Sequence, residues 1–377
     1  MQFTVGVGLL GCGVVGAAAA DRLERERDML ERRAGVRYDL HAIAIRDPRK
    51  ERLSSVRPDL FARDAVSIVD DPHVNVLIEC VGGTSDAAEL VGRALDRGRH
   101  VITANKDLIA TQNPRLRALA AARGVALRFE AAIASAIPIV RVLDEALAGD
   151  DVTWVAGVVS GTCTSILSAM EEGIDYATAL SQAQRTGFAE ADPSSDVDGA
   201  DAAHKLAVLM QVAFGLPIIS PAIHRTGIAE ITRRDIPRAR MLGQRIRLVA
   251  AAARTVDGAL AEVSPMLLPE NHIFAQTVGV ENVVRVVAHD AGALVLRRAG
   301  AGGAAAASAV LGDFVSVLRA AAGGTSVACR PRTASVGFGV GIGSLFASLP
   351  HSSELPQYPL WDDTLTAGPT ALELLAL

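Results

Sequence analysis

Phe3–Gly16 reads FTVGVGLLGCGVVG, and the run AAAADRLERERDMLERR follows it over residues 17–33. An apolar run that gives way to glycines and then to a charged, helix-favouring segment predicts a strand, a tight turn and a helix N-terminus. Within that frame Gly11-Cys12-Gly13-Val14-Val15-Gly16 spells G-x-G-x-x-G. The first glycine makes the turn, the second lets a pyrophosphate approach the backbone, and the third permits close helix–strand packing. The N–H groups of the first helical turn, around Val14 and Val15, have no carbonyl partner and face the anion. A glycine triplet by itself is equally a plain tight turn in a glycine-rich chain. The strand before it and the helix after it select dinucleotide binding.

Working outward, apolar strand-like runs recur at YDLHAIAIRD (38–47), VNVLIECVGG (74–83), HVITANKDLIA (100–110) and VALRFEAA (125–132). Between them lie helical patterns, TSDAAELVGRALDRG (84–98), capped by Thr84 or Ser85, and NPRLRALAAARG (113–124). This alternation predicts an α/β fold with a Rossmann-type, doubly wound parallel sheet. Ligands of such sheets sit at the carboxyl ends of the strands. Arg46 stands just past the second strand, followed by Asp47, Pro48, Arg49 and Lys50. An acid there accepts from a ribose 2′-hydroxyl and favours NAD, whereas an arginine accommodates a 2′-phosphate. The basic cluster favours NADP over NAD; the opposing reading has Asp47 take the ribose and leaves Arg46 in solvent. Gly82, in the glycine pair ending the third strand, is assigned to the cofactor with Gly11, Gly13, Val14, Val15, Gly16 and Arg46. Lys106, in the loop expected after the fourth strand, can donate to an oxygen beside a nicotinamide. A surface lysine is the plain alternative.

The texture changes near Ile133. A helix IPIVRVLDEALAG, a strand VTWVAGVVSG and helices TSILSAMEEG and DYATALSQAQRTG precede an acidic stretch. After it come a helix DAAHKLAVLMQVAFG and three strand-like runs, GALAEVSPMLLP, ENVVRVVAHD and GALVLRRAG. A second, α+β domain with a mixed or antiparallel sheet is expected. The division is residues 1–132 with about 303–325 for the nucleotide domain, and 133–302 for substrate binding, catalysis and dimerisation. The 330–377 tail is expected to carry no regulatory domain.

Composition bounds the function. At 377 residues the chain accommodates two domains, and a hydrophobic content of 50% supplies their cores. A net charge of −5 and only 4% aromatics exclude a nucleic-acid surface. The four cysteines form no CxxC pair, which fits a reducing cytosol. The uncharged Phe3–Ala20 segment lacks a basic leader and holds five glycines. A cytoplasmic protein with no membrane partner is expected.

The acidic stretch GFAEADPSSDVDGADAAHK, Gly187–Lys205, carries Glu190, Asp192, Asp196, Asp198 and Asp201. Ordinary helix chemistry explains part of it. Asp198 can be an N-cap, Asp201 the acid of a capping box, and Asp201–Lys205 an i,i+4 pair. The remaining carboxylates repel one another and need a reason. A substrate bearing an ammonium group supplies one; a divalent metal is the rival, but the spacing fits no EF-hand.

These residues, with VITANKDLIA, FEAAIASAIPIV, VVSGTCTSIL, HRTGIAEIT and GAGGAAAASAVLGD, resemble the homoserine dehydrogenase family, in order and spacing, from about residue 4 to 320. The resemblance implies an NAD(P)-dependent homodimer that interconverts L-homoserine and L-aspartate 4-semialdehyde in threonine and methionine biosynthesis. By motif position it implies that Lys205 is the catalytic proton donor and that Lys106 lies beside substrate and nicotinamide. Asp201 would orient Lys205 and bind substrate, with Glu190, the Gly187 backbone, Gly161 and Thr162. Gly302 and Gly303 would return to the nucleotide site. A structural Na+ would be held by the loop of Glu130, Ile133, Ser135 and Ile137. The chain departs from the pattern at Phe188, where tyrosine is frequent, in the AIASAIP loop and in SGTCTSIL. The tail is too short for the threonine-sensing domain many members carry, so threonine inhibition is not expected. A dehydrogenase for another amino-aldehyde or hydroxy-amino acid, or a non-catalytic NADP-binding protein, are the competing readings.

Overall fold

Strand β1 (Thr4–Leu10) is buried over six of its seven residues, so the apolar run has no wet face. Such strands belong to parallel sheets covered by helices on both sides. A computed structural model describes residues 4–47, 49, 56–134, 136–190, 192–218, 220–256, 258–300 and 302–323. Pro48, Lys50, Ser135 and the 330–377 tail lie outside the described residues. The described residues divide into two compact units, one of residues 4–140 with 302–323 and the other of residues 141–300.

The first unit adds β2 (Arg37–Ala44), β3 (Phe61–Ala62), β4 (Val76–Glu79), β5 (His100–Thr103) and β6 (Leu127–Arg128). They form one parallel sheet in the order β3-β2-β1-β4-β5-β6. The order reverses between β1 and β4, which creates a crevice at their carboxyl ends. Val14–Arg25 and Arg27–Ala34 connect β1 to β2, Ser85–Asp96 connects β4 to β5, and Lys106–Arg123 connects β5 to β6. Val5, Val7, Leu9, Leu23, Leu40 and Ile43 fill the core beneath them. The last helix, Gly303–Gly323, is long and apolar enough to cross a membrane by composition alone. Its Ala307, Val310, Leu311, Phe314, Val317 and Leu318 are instead buried in this core. Phe314 meets the Tyr38 ring edge-on at 5.0 Å.

Two details differ from the expectation for this unit. The helix expected to begin near Asn113 starts at Lys106 and runs through Pro114. Asn105 makes this possible: its side chain accepts from the Leu108 N–H and caps the helix. Pro114 forfeits one bond toward the preceding turn, which a helix of 18 residues tolerates. Ser85–Asp96 has Thr84 at its N-cap, but no side-chain capping bond is made there.

The second unit contains β7 (Val152–Val158), β8 (His224–Arg225), β9 (Gln244–Thr255), β10 (Gly258–Pro269), β11 (Glu281–Ala288) and β12 (Gly292–Ala299). Its sheet runs β12-β11-β7-β9-β10-β8. All of its pairs are antiparallel except β8 with β10. Strand β9 has no counterpart among the sequence-based expectations. Its RLVAAAART core alternates nothing, because both faces are buried, and an alanine run favours helix by propensity. Pairing with β10 along its whole length overrides that preference. Trp154, Ala156, Val158, Val249, Ala251, Met266, Leu268 and Phe274 form the core on one side. The apolar helix Ala200–Phe214 packs on β7 and β9. Below it, Arg247 of β9 is fully buried and donates to Glu171 Oε1 at 2.7 Å. It also donates to the Thr277 carbonyl at 3.1 Å, so the end of helix Gly161–Glu171 is tied to the sheet.

Candidate active site

In the first unit the three glycines of the turn have three different environments. Gly11 has φ +88°, and a Cβ there would lie 2.7 Å from the Cys80 carbonyl oxygen. At Gly16 a Cβ would meet the Gly11 carbonyl at 2.0 Å, so the helix packs against the turn only without one. Around Gly13 no atom of the described residues lies within 4 Å of a would-be Cβ. The described residues therefore leave that space open, which suits a ligand brought against the backbone. Gly13 is also the N-cap of Val14–Arg25, and no side chain caps it. Its orphan N–H groups are available to an anion, and Val14 is left 78% exposed at the same spot. Gly303 opens the last helix against Val14, with 2.8 Å between a would-be Cβ and the valine side chain. Gly302, at φ +117°, precedes it.

At the end of β2, Arg46 is exposed. Asp47 Oδ1 accepts from the Arg49 N–H at 2.9 Å and from its Nε at 3.3 Å, so this carboxylate is engaged by its own loop. At the ends of β4 and β5, Gly82 and Gly83 both have φ +76° and open space beside them. Lys106 is the first residue of its helix and is half-buried. A circuit that sequence reading missed sets this edge. Glu79, fully buried, accepts from the Val81 N–H at 2.7 Å and from the Thr103 hydroxyl. Thr103 in turn accepts from the Asn105 N–H at 3.0 Å, and Asn105 donates to the Gly83 carbonyl at 2.7 Å. The only clue in the sequence is an acid inside the apolar run VLIECV.

In the second unit, Asp201 and Lys205 meet at the start of Ala200–Phe214. Lys205 Nζ lies 2.7 Å from Asp201 Oδ2 and 2.7 Å from the Val159 carbonyl, at the end of β7. Asp201 is nearly fully buried and Lys205 is 13% exposed at its side chain. The ammonium has three donors. Two are used among the described residues, by Asp201 and the Val159 carbonyl, which leaves one donor.

The capping reading of this stretch is corrected. Gly199, with φ +84°, is the N-cap, because only a left-handed residue reverses the chain there. Asp198 instead ends a short helix, Ser194–Val197, and its Oδ1 accepts from the Ala200 N–H. Asp201, which the plain helix-chemistry alternative made the acid of a capping box, is turned inward to Lys205. Asp196 docks the acidic segment onto helix Gly161–Glu171: Thr162 donates to its Oδ2 at 3.1 Å and to the Phe188 carbonyl at 2.7 Å. Ser160 caps that helix at the Cys163 N–H, and Gly161 begins it, a Cβ there lying 3.4 Å from the Val280 carbonyl. Gly187, at φ +76°, terminates helix Tyr176–Arg185 and turns the chain toward Phe188, which is 42% exposed. Glu190 is exposed, and its carbonyl accepts from Gln184. The HRTGI stretch gains a physical reason. Gly227 lies flat against the turn before Gly199, where a Cβ would be 2.1 Å from the Val197 carbonyl. The Ile228 N–H donates to that same carbonyl.

In the loop proposed for a cation, the Glu130 carboxylate accepts from the Val140 N–H at 2.7 Å, and its N–H donates to buried Asp313. The Ile137 carbonyl accepts from the Ile139 N–H. Each carbonyl oxygen has a second lone pair for a hard cation.

Comparison with known proteins bears on these two sites. A family model described as "Homoserine dehydrogenase, NAD binding domain" matches residues 11–130, and one described as "Homoserine dehydrogenase" matches residues 138–315. The homoserine dehydrogenase of Pseudomonas aeruginosa is 39% identical over 317 residues, 84% of this chain and 73% of its own. The crystal structure of a homoserine dehydrogenase from Thiobacillus denitrificans is similar with a TM-score of 0.84 and 37% identity, covering 90% of this chain and 80% of that one. A hyperthermophilic archaeal homoserine dehydrogenase in complex with NADPH gives a TM-score of 0.70 at 26% identity, covering 84% of this chain and 98% of that one.

Proposed function

The chain belongs to the homoserine dehydrogenase family, and from that premise we propose how its residues divide the NAD(P)-dependent interconversion of L-homoserine and L-aspartate 4-semialdehyde. The observation that carries this reading is the buried Asp201–Lys205 pair with its one remaining ammonium donor. A bound nicotinamide supplies or takes the hydride at the substrate carbon. Lys205 stabilises the negative charge that develops on the substrate oxygen and gives or takes its proton. Asp201 and the Val159 carbonyl hold the lysine in one rotamer, so little reorganisation is needed when the charge appears. Glu190 and the Gly187–Phe188 turn receive the amino-acid end of the substrate, beside Gly161 and Thr162. Lys106 acts at the nicotinamide end of the first unit.

Glu190→Gln tests the substrate assignment. Losing one carboxylate charge from an ammonium subsite is expected to raise KM for L-homoserine by roughly tenfold, with KM for the cofactor unchanged. An unaltered homoserine KM would remove Glu190 from the subsite.

For the cofactor, the proposal is NADP in preference to NAD. Asp47 is engaged by Arg49, while Arg46 is exposed at the position where a 2′-phosphate is received. Arg46→Ala is expected to raise KM for NADPH by roughly tenfold and to leave KM for NADH nearly constant. Equal effects on the two cofactors would mean that the 2′-phosphate lies elsewhere. We further propose a cytoplasmic homodimer. Carbonyl oxygens of Glu130, Ile133, Ser135 and Ile137 would hold a structural Na+.

A further inference from the structure

Glu79 is a buried carboxylate that the proposed chemistry leaves unused. It ends β4, the first strand beyond the switch point. The half of a doubly wound sheet beyond that point receives the nicotinamide mononucleotide, the other half receiving the adenylate. All partners of Glu79 are donors: the N–H groups of Val81 and Gly82 and the hydroxyl of Thr103. Hydrogen bonds from backbone N–H groups favour the charged form of a carboxylate. No cation pairs with it among the described residues. Burial first, and then the neighbouring Glu79, push the Cys80 thiol above its ordinary range. The carboxylate is thus fixed under the Gly82–Gly83 turn by backbone donors and shielded from water.

We propose that Glu79 sets the oxidation-state preference of the cofactor site, favouring the cationic ring of the oxidised nicotinamide over the neutral ring of the reduced form. The two forms differ by one positive charge at the ring and share their phosphates, so a fixed charge at this edge discriminates between them where a merely structural group does not. At low effective dielectric a unit charge acts over several ångströms. The backbone donors hold the carboxylate in place, so the preference is built in before the cofactor arrives. This rests on the cofactor reading above.

The test is the ratio of Kd for NADP+ to Kd for NADPH, measured calorimetrically on the full chain without substrate. Glu79→Gln removes the charge and keeps the shape, and Glu79→Met serves the same purpose if the amide variant loses its cooperative melting transition. Thr103→Val breaks the circuit and keeps the carboxylate. Lys106 is present in every variant. The neutral variants are expected to raise the ratio by roughly three- to tenfold, and Thr103→Val to leave it within about twofold of wild type. An unchanged ratio in the neutral variants, or an equal shift in Thr103→Val, would overturn the proposal. Wild-type protein that bound neither form would instead refute the cofactor reading itself.

Discussion

Lys205→Ala is expected to lower kcat for L-homoserine oxidation by roughly 10²–10³-fold, the loss that follows removal of a donor aimed at a developing oxyanion. Lys205 Nζ is held by Asp201 and the Val159 carbonyl in the second unit. The glycine turn belongs to the first unit. Binding of NADPH is therefore expected to stay within about twofold of wild type, since the substitution removes no group from the cofactor turn. The variant also leaves Asp201 as a buried carboxylate without its ammonium, which costs stability. Its melting curve has to be recorded alongside the rates. A folded variant that kept most of its kcat would eliminate Lys205 as the proton donor.

Glu171→Ala is expected to produce the largest stability loss outside the active site. Arg247 is fully buried, and its guanidinium is neutralised by Glu171, with Arg245 reaching the same carboxylate at 3.6 Å. Removing one partner of a buried pair leaves an uncompensated charge and costs about 3–5 kcal/mol. For a unit of this size that is a fall in Tm of roughly 10 °C. Each unit has its own core, so the change is expected in the transition of the second unit. A Glu171→Leu/Arg247→Met double variant removes both charges and is expected to melt above Glu171→Ala. Equal Tm values for wild type and Glu171→Ala, by calorimetry, would show that solvent compensates the arginine.

The parallel sheet was legible because its signals are local. An apolar run with no polar face, a glycine turn and a helix start occur within 14 residues at Phe3–Gly16. Glycine spacing even anticipated the separate physical reasons at Gly11, Gly13 and Gly16. Strand β9 was not legible. Its identity comes from pairing with β10 and burial on both faces, neither of which leaves a period in RLVAAAART. The pairing of Asp201 with Lys205 could be read from i,i+4 spacing, but the burial that makes it chemically useful could not. Nor could the role of Asp196, since its partner Thr162 lies 34 residues away. Glu79 was hidden for the same reason: its circuit joins β4 to β5 through Thr103 and Asn105. Local capping rules misassigned Asp198 because a left-handed glycine next to it took the position.

Initial rates of NADP+ reduction at 340 nm, with L-homoserine set beside L-serine, L-threonine and other hydroxy-amino acids, decide whether this chain is an L-homoserine-specific dehydrogenase. The highest kcat/KM is expected with L-homoserine, and a smaller kcat/KM with NAD+ in place of NADP+. A higher kcat/KM with another hydroxy-amino acid, or no reduction with any of them, would contradict it.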